Sequence, residues 1–226
     1  MKKLLLIAAA SATILSSTLS SADMMNDNQW YLKVNAGATI FDKAKDGFTG
    51  LKIKSNTVFV GEIGAGYYVM DNVRTDVTLG TLASAQLKKS GVISAGAYAG
   101  STGSVKHKPT IISLLLNGYV DFVDVGMFKA FGGAGVGLAS VKDKMTWTIN
   151  NAAISTTSKQ TYNFAWQVSL GASAEVAEGV KAELTYSYRD YGKSKSKNFQ
   201  VSNQNFQTGS TRFKGNNVMA GVRFDI

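Results

Sequence analysis

Three observations on the sequence predict an all-β chain, an eight-stranded antiparallel transmembrane up-and-down β-barrel. Apolar and polar residues alternate with period two through most of the chain after residue 23, and no helical period persists there. Several alternating segments run ten residues or more, longer than the half-buried strand of a soluble protein and about what a tilted strand needs to cross hydrocarbon. The connections alternate strictly between long polar stretches and short turns, the habit of bacterial barrels with short periplasmic turns and long outer loops.

The first stretch stands apart. Lys2 and Lys3 form a positive n-region, Leu4 to Leu15 an apolar h-region, and Ser20-Ser21-Ala22 supplies small residues before a cleavage point. This predicts a signal peptide over 1–22 and a barrel with four long extracellular loops over 23–226. The apolar run is too short to cross ~30 Å of hydrocarbon as a helix. With no Cys in the chain, a lipoprotein anchor, a disulfide and a thiolate metal site are excluded. One Pro against 23 Gly fits β-structure with close backbone approach better than a disordered linker.

Eight segments follow in order. Trp30, Leu32, Val34, Ala36, Ala38 and Ile40 alternate with Tyr31, Lys33, Asn35, Gly37 and Thr39. From 57 to 69, Phe59, Ile63, Ala65, Tyr67 and Val69 oppose Val60, Glu62, Gly64, Gly66 and Tyr68, less cleanly. Val73, Thr75, Val77 and Leu79 then oppose Arg74, Asp76, Thr78 and Gly80. In the fourth, Ile112, Leu114, Leu116, Val120 and Phe122 oppose Ser113, Asn117, Tyr119 and Asp121. The fifth, Phe128 to Leu138, is almost wholly apolar or Gly, and its register stays open. The sixth, Tyr162 to Val176, is the clearest, with Phe164, Trp166, Val168 and Leu170 against Asn163, Gln167, Ser169 and Glu175. The seventh sets Val180, Ala182, Leu184, Tyr186 and Tyr188 against Lys181, Glu183, Thr185, Ser187 and Arg189, and the last sets Val218, Ala220, Val222, Phe224 and Ile226 against Asn217, Gly221, Arg223 and Asp225. Long polar stretches fall over 42–56, 84–109, 140–160 and 192–212, and short turns at 70–72, around Asp124 and at 177–179.

In hydrocarbon every backbone N–H and C=O must be paired within the protein, which only helices and closed barrels achieve. Lipid then sees every second side chain, and the other face may carry charge. Glu62, Arg74, Asp76, Lys181, Glu183, Arg189 and Arg223 all fall on that face. Charge in so narrow a lumen is costly unless paired, and both signs are present, so a salt-bridged plug is expected, with inward glycines leaving room for Arg and Lys. A soluble carrier barrel would reverse the pattern. Span length, the connection lengths, and aromatics near strand ends favour the membrane form. The aromatics are Trp30, Tyr31, Phe41, Tyr67, Tyr68, Phe122, Phe128, Tyr162, Tyr186 and Tyr188, expected as interfacial girdles.

Gly221-Val222-Arg223-Phe224-Asp225-Ile226 resembles the terminal targeting signal of outer-membrane barrels, with Gly221, Phe224 and Ile226 as its marked positions. The chain after residue 22 resembles the small eight-stranded outer-membrane proteins of the OmpA-transmembrane, OmpX and opacity type. The MKKLLLIAAASATILSS start, the FGGAGVGLA strand and the YSYRDYG strand end are similar to those of the rickettsial surface adhesins. The resemblance implies an integral protein of the bacterial outer membrane, inserted by the barrel-assembly machinery. It also implies an adhesin that binds host extracellular proteins such as vitronectin-like serum proteins through its loops.

Other motifs carry little chemistry. His107 is the only histidine, and no acidic residue lies in its loop, so a hydrolytic base with an orienting partner is not built there. Gly132 to Gly137 resembles a phosphate-cradling loop, but such a loop must open a helix, and this one lies inside a predicted span. Glu62, Asp76 and Glu183 read as lumen ion pairs rather than catalytic carboxylates. No metal-ligand spacing occurs, no cofactor is implied, and no enzyme is predicted.

Charge placement is the remaining signal. The formal charge is +9, and the predicted loops hold Lys88, Lys89, Lys106, Lys108, Lys142, Lys144, Lys193, Lys195 and Lys197 among other cations, against Asp42, Asp46 and Asp143. These lysines are the candidate ligand-binding residues. They suit lipopolysaccharide and outer-membrane lipid, or acidic host molecules, and being outside the cell they do not suit nucleic acid. A small pore and a purely structural barrel are the alternatives, with conduction disfavoured because eight strands leave little open area.

Overall fold

The computed structural model describes residues 29–42, 44–45, 52–53, 57–82, 87–92, 100–149, 152–194, 198–201, 204–207 and 210–226. The segment 1–22, predicted above as a signal peptide, lies outside them, as do Asp46, Lys195 and Lys197.

Eight long strands form the wall: β1 Trp30–Phe41, β2 Thr57–Met70, β3 Val73–Leu82, β4 Thr102–Val125, β5 Phe128–Ile149, β6 Thr161–Ala177, β7 Val180–Lys193 and β8 Arg212–Asp225. Each pairs antiparallel with its chain neighbour, and β1 pairs with β8 to close the barrel. Val34, for instance, sits between Ile63 on β2 and Val222 on β8. The edge groups an open sheet would leave bare to lipid are thus satisfied.

The short turns are Asp71-Asn72, Gly126-Met127 and Glu178-Gly179. Gly126 and Gly179 take positive φ of 61° and 68°, where a side chain would be strained. The middle turn lies beyond Asp124, which is still in β4 and pairs with Lys129 at 2.8 Å. β-Bulges lie beside each turn, at Tyr68/Met70, Asp121/Val123 and Glu175/Ala177.

Burial follows the predicted faces. Leu32, Ile63, Leu79, Ile112, Val168, Leu184 and Val218 are exposed on the outer wall, while Lys33, Glu62, Asp76, Ser113, Gln167, Glu183 and Asn217 are buried. β5 resolves its open register by turning Phe131, Gly135, Ala139 and Val141 inward and Ala134 and Val136 outward. Its inward glycines each face a bulky neighbour in direct cross-strand register: Gly133 faces Tyr119, Gly135 faces Asn117 and Gly137 faces Leu115. A Cβ at Gly133 would lie 2.4 Å from the Tyr119 ring, and one at Gly171 2.3 Å from the Phe131 ring. The glycines therefore make room for aromatic rings, on which the cations stack, and for the cations themselves: a Cβ at Gly64 would lie 3.2 Å from Lys33 Cε and one at Gly80 3.4 Å from Arg189 Nη1.

Three expectations are corrected. Tyr31 and Phe41 are not girdle residues, being 1% and 5% exposed inside the barrel; the lipid face of β1 falls on the even positions, and both are odd. Tyr68 also turns inward, its hydroxyl donating to Asp225 Oδ1 at 2.8 Å. Trp30, Phe122, Phe128, Tyr162 and Tyr186 do stand outside.

The other two concern connections. The stretches 84–109 and 140–160 are largely strand. β4 runs 24 residues and β5 22, about twice a membrane span of roughly 9–11 residues. They stay paired out to Gly103 and Ile149, and the flanking strands Leu87–Val92 and Ala152–Thr157 widen them into a four-stranded ribbon above the barrel. Lys106, Lys108, Lys142 and Lys144 therefore sit on strands, not in loops. Above the membrane neither face has to be apolar, so period two fades although the ladder continues.

Candidate functional site

Inside the wall the side chains sort into layers. Nearest the turns, Arg74 reaches Asp121 and lies 3.5 Å from Glu183, which also accepts from Arg223 Nη1 at 2.6 Å. The Arg74 guanidinium stacks 4.7 Å from the Tyr119 ring centre and 4.4 Å from that of Phe131, a favourable contact between a cation and a π face. Lys181 guards the mouth, half-buried and paired with Asp225.

One step up, Lys33 meets Asp76 at 2.6 Å and donates to the Tyr119 hydroxyl at 3.0 Å. Tyr31 and Asn117 donate to the two oxygens of Asp76 at 3.1 and 2.7 Å. Next, Arg189 Nη2 donates to Glu62 Oε2 at 2.8 Å and Nε to Gln167 Oε1 at 2.8 Å. Gln167 in turn donates to Asn117 Oδ1 at 2.7 Å. Buried charges survive only when paired and hydrogen-bonded; across six strands Lys33 and Arg189 each have a carboxylate partner, although Arg189 Nη1 makes no hydrogen bond among the described residues.

The outer half of the lumen is different. Phe41, Val58, Val60, Leu82, Ile111, Leu115, Ala139, Val141, Ala165, Tyr191, Phe213 and Met219 form one buried apolar cluster. Phe41 packs edge-on against Phe213 at 5.9 Å between ring centres. Of the lumen, only the charged half is a salt-bridged plug; above it the interior resembles the core of a soluble protein. The void among Lys33, Glu62, Arg74, Tyr119, Gln167 and Glu183 measures about 10 Å³, at most the room one water needs. At this height packed side chains fill the lumen.

The lumen residues named from sequence, Glu62, Arg74, Asp76, Glu183, Arg189 and Arg223, are buried and brought together, with Lys181 at their edge. Sequence reasoning left out Lys33, Asp121 and Asp225, although all three lie opposite apolar stripes, and it did not foresee the apolar half.

Outside, Lys106, Lys108, Lys142 and Lys144 project from the β4–β5 ribbon, Lys193 ends β7, and Lys88 and Lys89 lie on the strand Leu87–Val92. Lys195 and Lys197 lie outside the described residues. The side chain of His107 is likewise outside them, though its backbone pairs with Met145. At the chain end, Gly221 pairs with Asn35 and Glu183, and a Cβ there would fall 1.8 Å from Asn35 Oδ1. Phe224 is exposed on the outer wall, and the Ile226 amide donates to Trp30 O at 2.8 Å.

A family model described as outer membrane protein beta-barrel domain matches residues 6–224. "Putative adhesin RC1281" of Rickettsia conorii is 53% identical over 253 residues, covering all of both chains. A "Putative adhesin" of Rickettsia felis is 50% identical, again over all of both chains. Among solved structures, Neisserial surface protein A is 17% identical with a TM-score of 0.52, covering 87% of this chain and 97% of its own. The outer membrane protease OmpT of Escherichia coli is 10% identical with a TM-score of 0.51, covering 92% and 99%. At such identities these two speak for the fold alone.

Proposed function

Because this chain belongs to the outer membrane protein beta-barrel domain family, and is thus an integral barrel of the outer membrane, we propose that it is an adhesin whose outer loops hold host extracellular proteins. The filled lumen carries this reading. With its lumen filled by buried, packed side chains, the barrel serves as an anchor, and what it offers the outside is its loop surface. The adhesin designation of the Rickettsia relatives supports the same reading. The partner class is the vitronectin-like serum proteins. Basic loops would take the acidic parts of such a protein, since its basic regions would be repelled, or apolar loop residues would make the contact.

Attachment of cells displaying the barrel, measured across a salt series, tests this. If Lys193, Lys195 and Lys197 attract acidic partners, binding falls steeply as salt rises, because the interaction is screened over about 10 Å at 0.1 M. Replacing the three by Gln weakens attachment and leaves folding unchanged, since polar substitutions of this kind outside the buried network change stability little. If Trp147, Phe199 or Phe206 make the contact, salt matters little and aromatic replacement matters more. Attachment indifferent to salt, to the lysines and to the aromatics would remove the adhesin reading.

We propose as well that residues 1–22 are the export signal and that Gly221, Phe224 and Ile226 are read by the barrel-assembly machinery. Phe224 lies near the periplasmic boundary, where a charge on the lipid face costs at most about 1 kcal/mol. Phe224→Asp is therefore expected to fold in detergent yet reach the surface poorly. Normal surface levels of this variant would show that these residues are not read as a signal.

A further inference from the structure

The outward face of the β4–β5 ribbon continues the lipid-facing stripe without a break. On β4 the outward positions run Leu116, Leu114, Ile112 and then Thr110, Lys108, Lys106; on β5 they run Val136, Leu138, Ser140 and then Lys142, Lys144. The change from apolar to polar comes within one outward position on the two strands, after Leu138 on β5 and after Ile112 on β4, with Ile112 lying opposite Ser140 and Thr110 opposite Lys142. Beside them the exposed Tyr162 pairs with Ser140, and Gln160 donates to both hydroxyls at 2.8 and 3.2 Å. An aromatic with a polar tip, next to a polar cluster, marks the membrane–water boundary. Lys142 stands two residues above it on its strand and Lys144 four, at ~3.4 Å per residue. That is the depth of lipid headgroups, not of a distant partner.

The ladder also stacks like charges. Lys108 lies directly opposite Lys144, and Lys106 directly opposite Lys88. Like charges facing each other across a ladder destabilise it. The neighbouring carboxylate, Asp143, is buried on the other face of β5, and among the described residues no carboxylate pairs with Lys106, Lys108, Lys142 or Lys144. On the β7–β8 side of the rim Arg212 and Lys214 are answered: Arg212 pairs with Asp190, and Lys214 lies 3.5 Å from Asp42 and over the Tyr188 ring. The β4–β5 lysines thus form an unanswered cationic strip immediately above an apolar wall.

We propose that this strip is a lateral binding site for phosphorylated glycolipid of the outer leaflet. Lys106, Lys108, Lys142 and Lys144 hold the headgroup phosphates, and the acyl chains lie along Ile112, Leu114, Val136 and Leu138. Lysine suits the task as a flexible point charge for phosphate. The anion relieves the opposed lysines, so lipid and ribbon stabilise each other. The site does not depend on the adhesin reading, because it faces sideways into the bilayer.

The test uses the full chain refolded in neutral detergent micelles, with lipid co-purifying on gel filtration as the readout. The probes are diphosphoryl, monophosphoryl and dephosphorylated lipid A. Retention is expected to fall with each phosphate removed. The quadruple variant K106Q/K108Q/K142Q/K144Q should bind the diphosphoryl form at least tenfold more weakly, the corresponding quadruple Lys→Arg variant should retain it, and K214Q should leave it unchanged. Equal retention of the three lipids by the wild-type chain overturns the proposal and needs no variant. So does undiminished lipid retention by a folded Lys→Gln quadruple. A sulfated polysaccharide or free inorganic phosphate that displaces the lipid at equal phosphate or sulfate concentration also overturns it, since the strip would then serve a soluble anion.

Discussion

Replacing Arg189 by leucine is expected to destabilise the folded barrel by about 3–5 kcal/mol, the usual result of stripping one partner from a buried ion pair. Arg189 is fully buried, and its loss leaves Glu62, itself 4% exposed, as a carboxylate without its cation. Glu62→Leu should cost a similar amount by leaving Arg189 alone. The double variant R189L/E62L should recover most of the loss, because no uncompensated charge then remains, and the two effects are strongly non-additive. The urea midpoint of the heat-modifiable gel band measures all three. A double variant as unstable as the sum of the singles would show that the two side chains do not act as a pair.

The second large effect separates the two sides of the wall. Phe213→Ala empties a position packed against Phe41 in the apolar half of the lumen and is expected to cost about 3–5 kcal/mol, transfer and cavity together. Phe164→Ala removes the same ring from the outer wall, where it is 65% exposed. Lipid flows into that space, so only the transfer part, at most about 1.5–3 kcal/mol, is lost. Unfolding of both variants from the same vesicles gives the comparison. Equal costs would mean that Phe213 does not sit in a packed core.

How much of this was legible depends on what each face had to satisfy. Along Tyr162–Val176 lipid demands apolar residues at every second position, and the strand observed, Thr161–Ala177, keeps that parity up to the bulge at Glu175/Ala177. Where both sides of the wall are apolar the alternation vanishes. Val58-Phe59-Val60 and Ile111-Ile112 carry core and lipid residues side by side, and no period distinguishes one from the other. That is why the apolar half of the lumen went unseen. β5 hid its register for a related reason: glycine shows no preference for either face, and the information lay in the Tyr119 and Asn117 side chains that need the space across the ladder. Tyr31 and Phe41 were misplaced by weighing residue type above parity. The ribbon above the barrel escaped because a polar, water-flanked ladder has the composition of a loop; only the direct pairings, Lys108 with Lys144 for example, reveal what the lysines face.

The apolar half of the lumen has a consequence for proton exchange. Over that height the strands have lipid on one side and packed side chains such as Val60, Ile111 and Leu115, each 1% exposed or less, on the other. A backbone amide trades its hydrogen for deuterium only where water can reach it, through local opening or global unfolding. Here the wall is dry on both sides, whereas nearer the turns Tyr68, Lys181 and Asp225 are only part-buried. Isotope therefore enters from the periplasmic mouth and from the ribbon. The amides around Val60, Ile111 and Ala165 exchange last, at the rate at which the whole barrel opens.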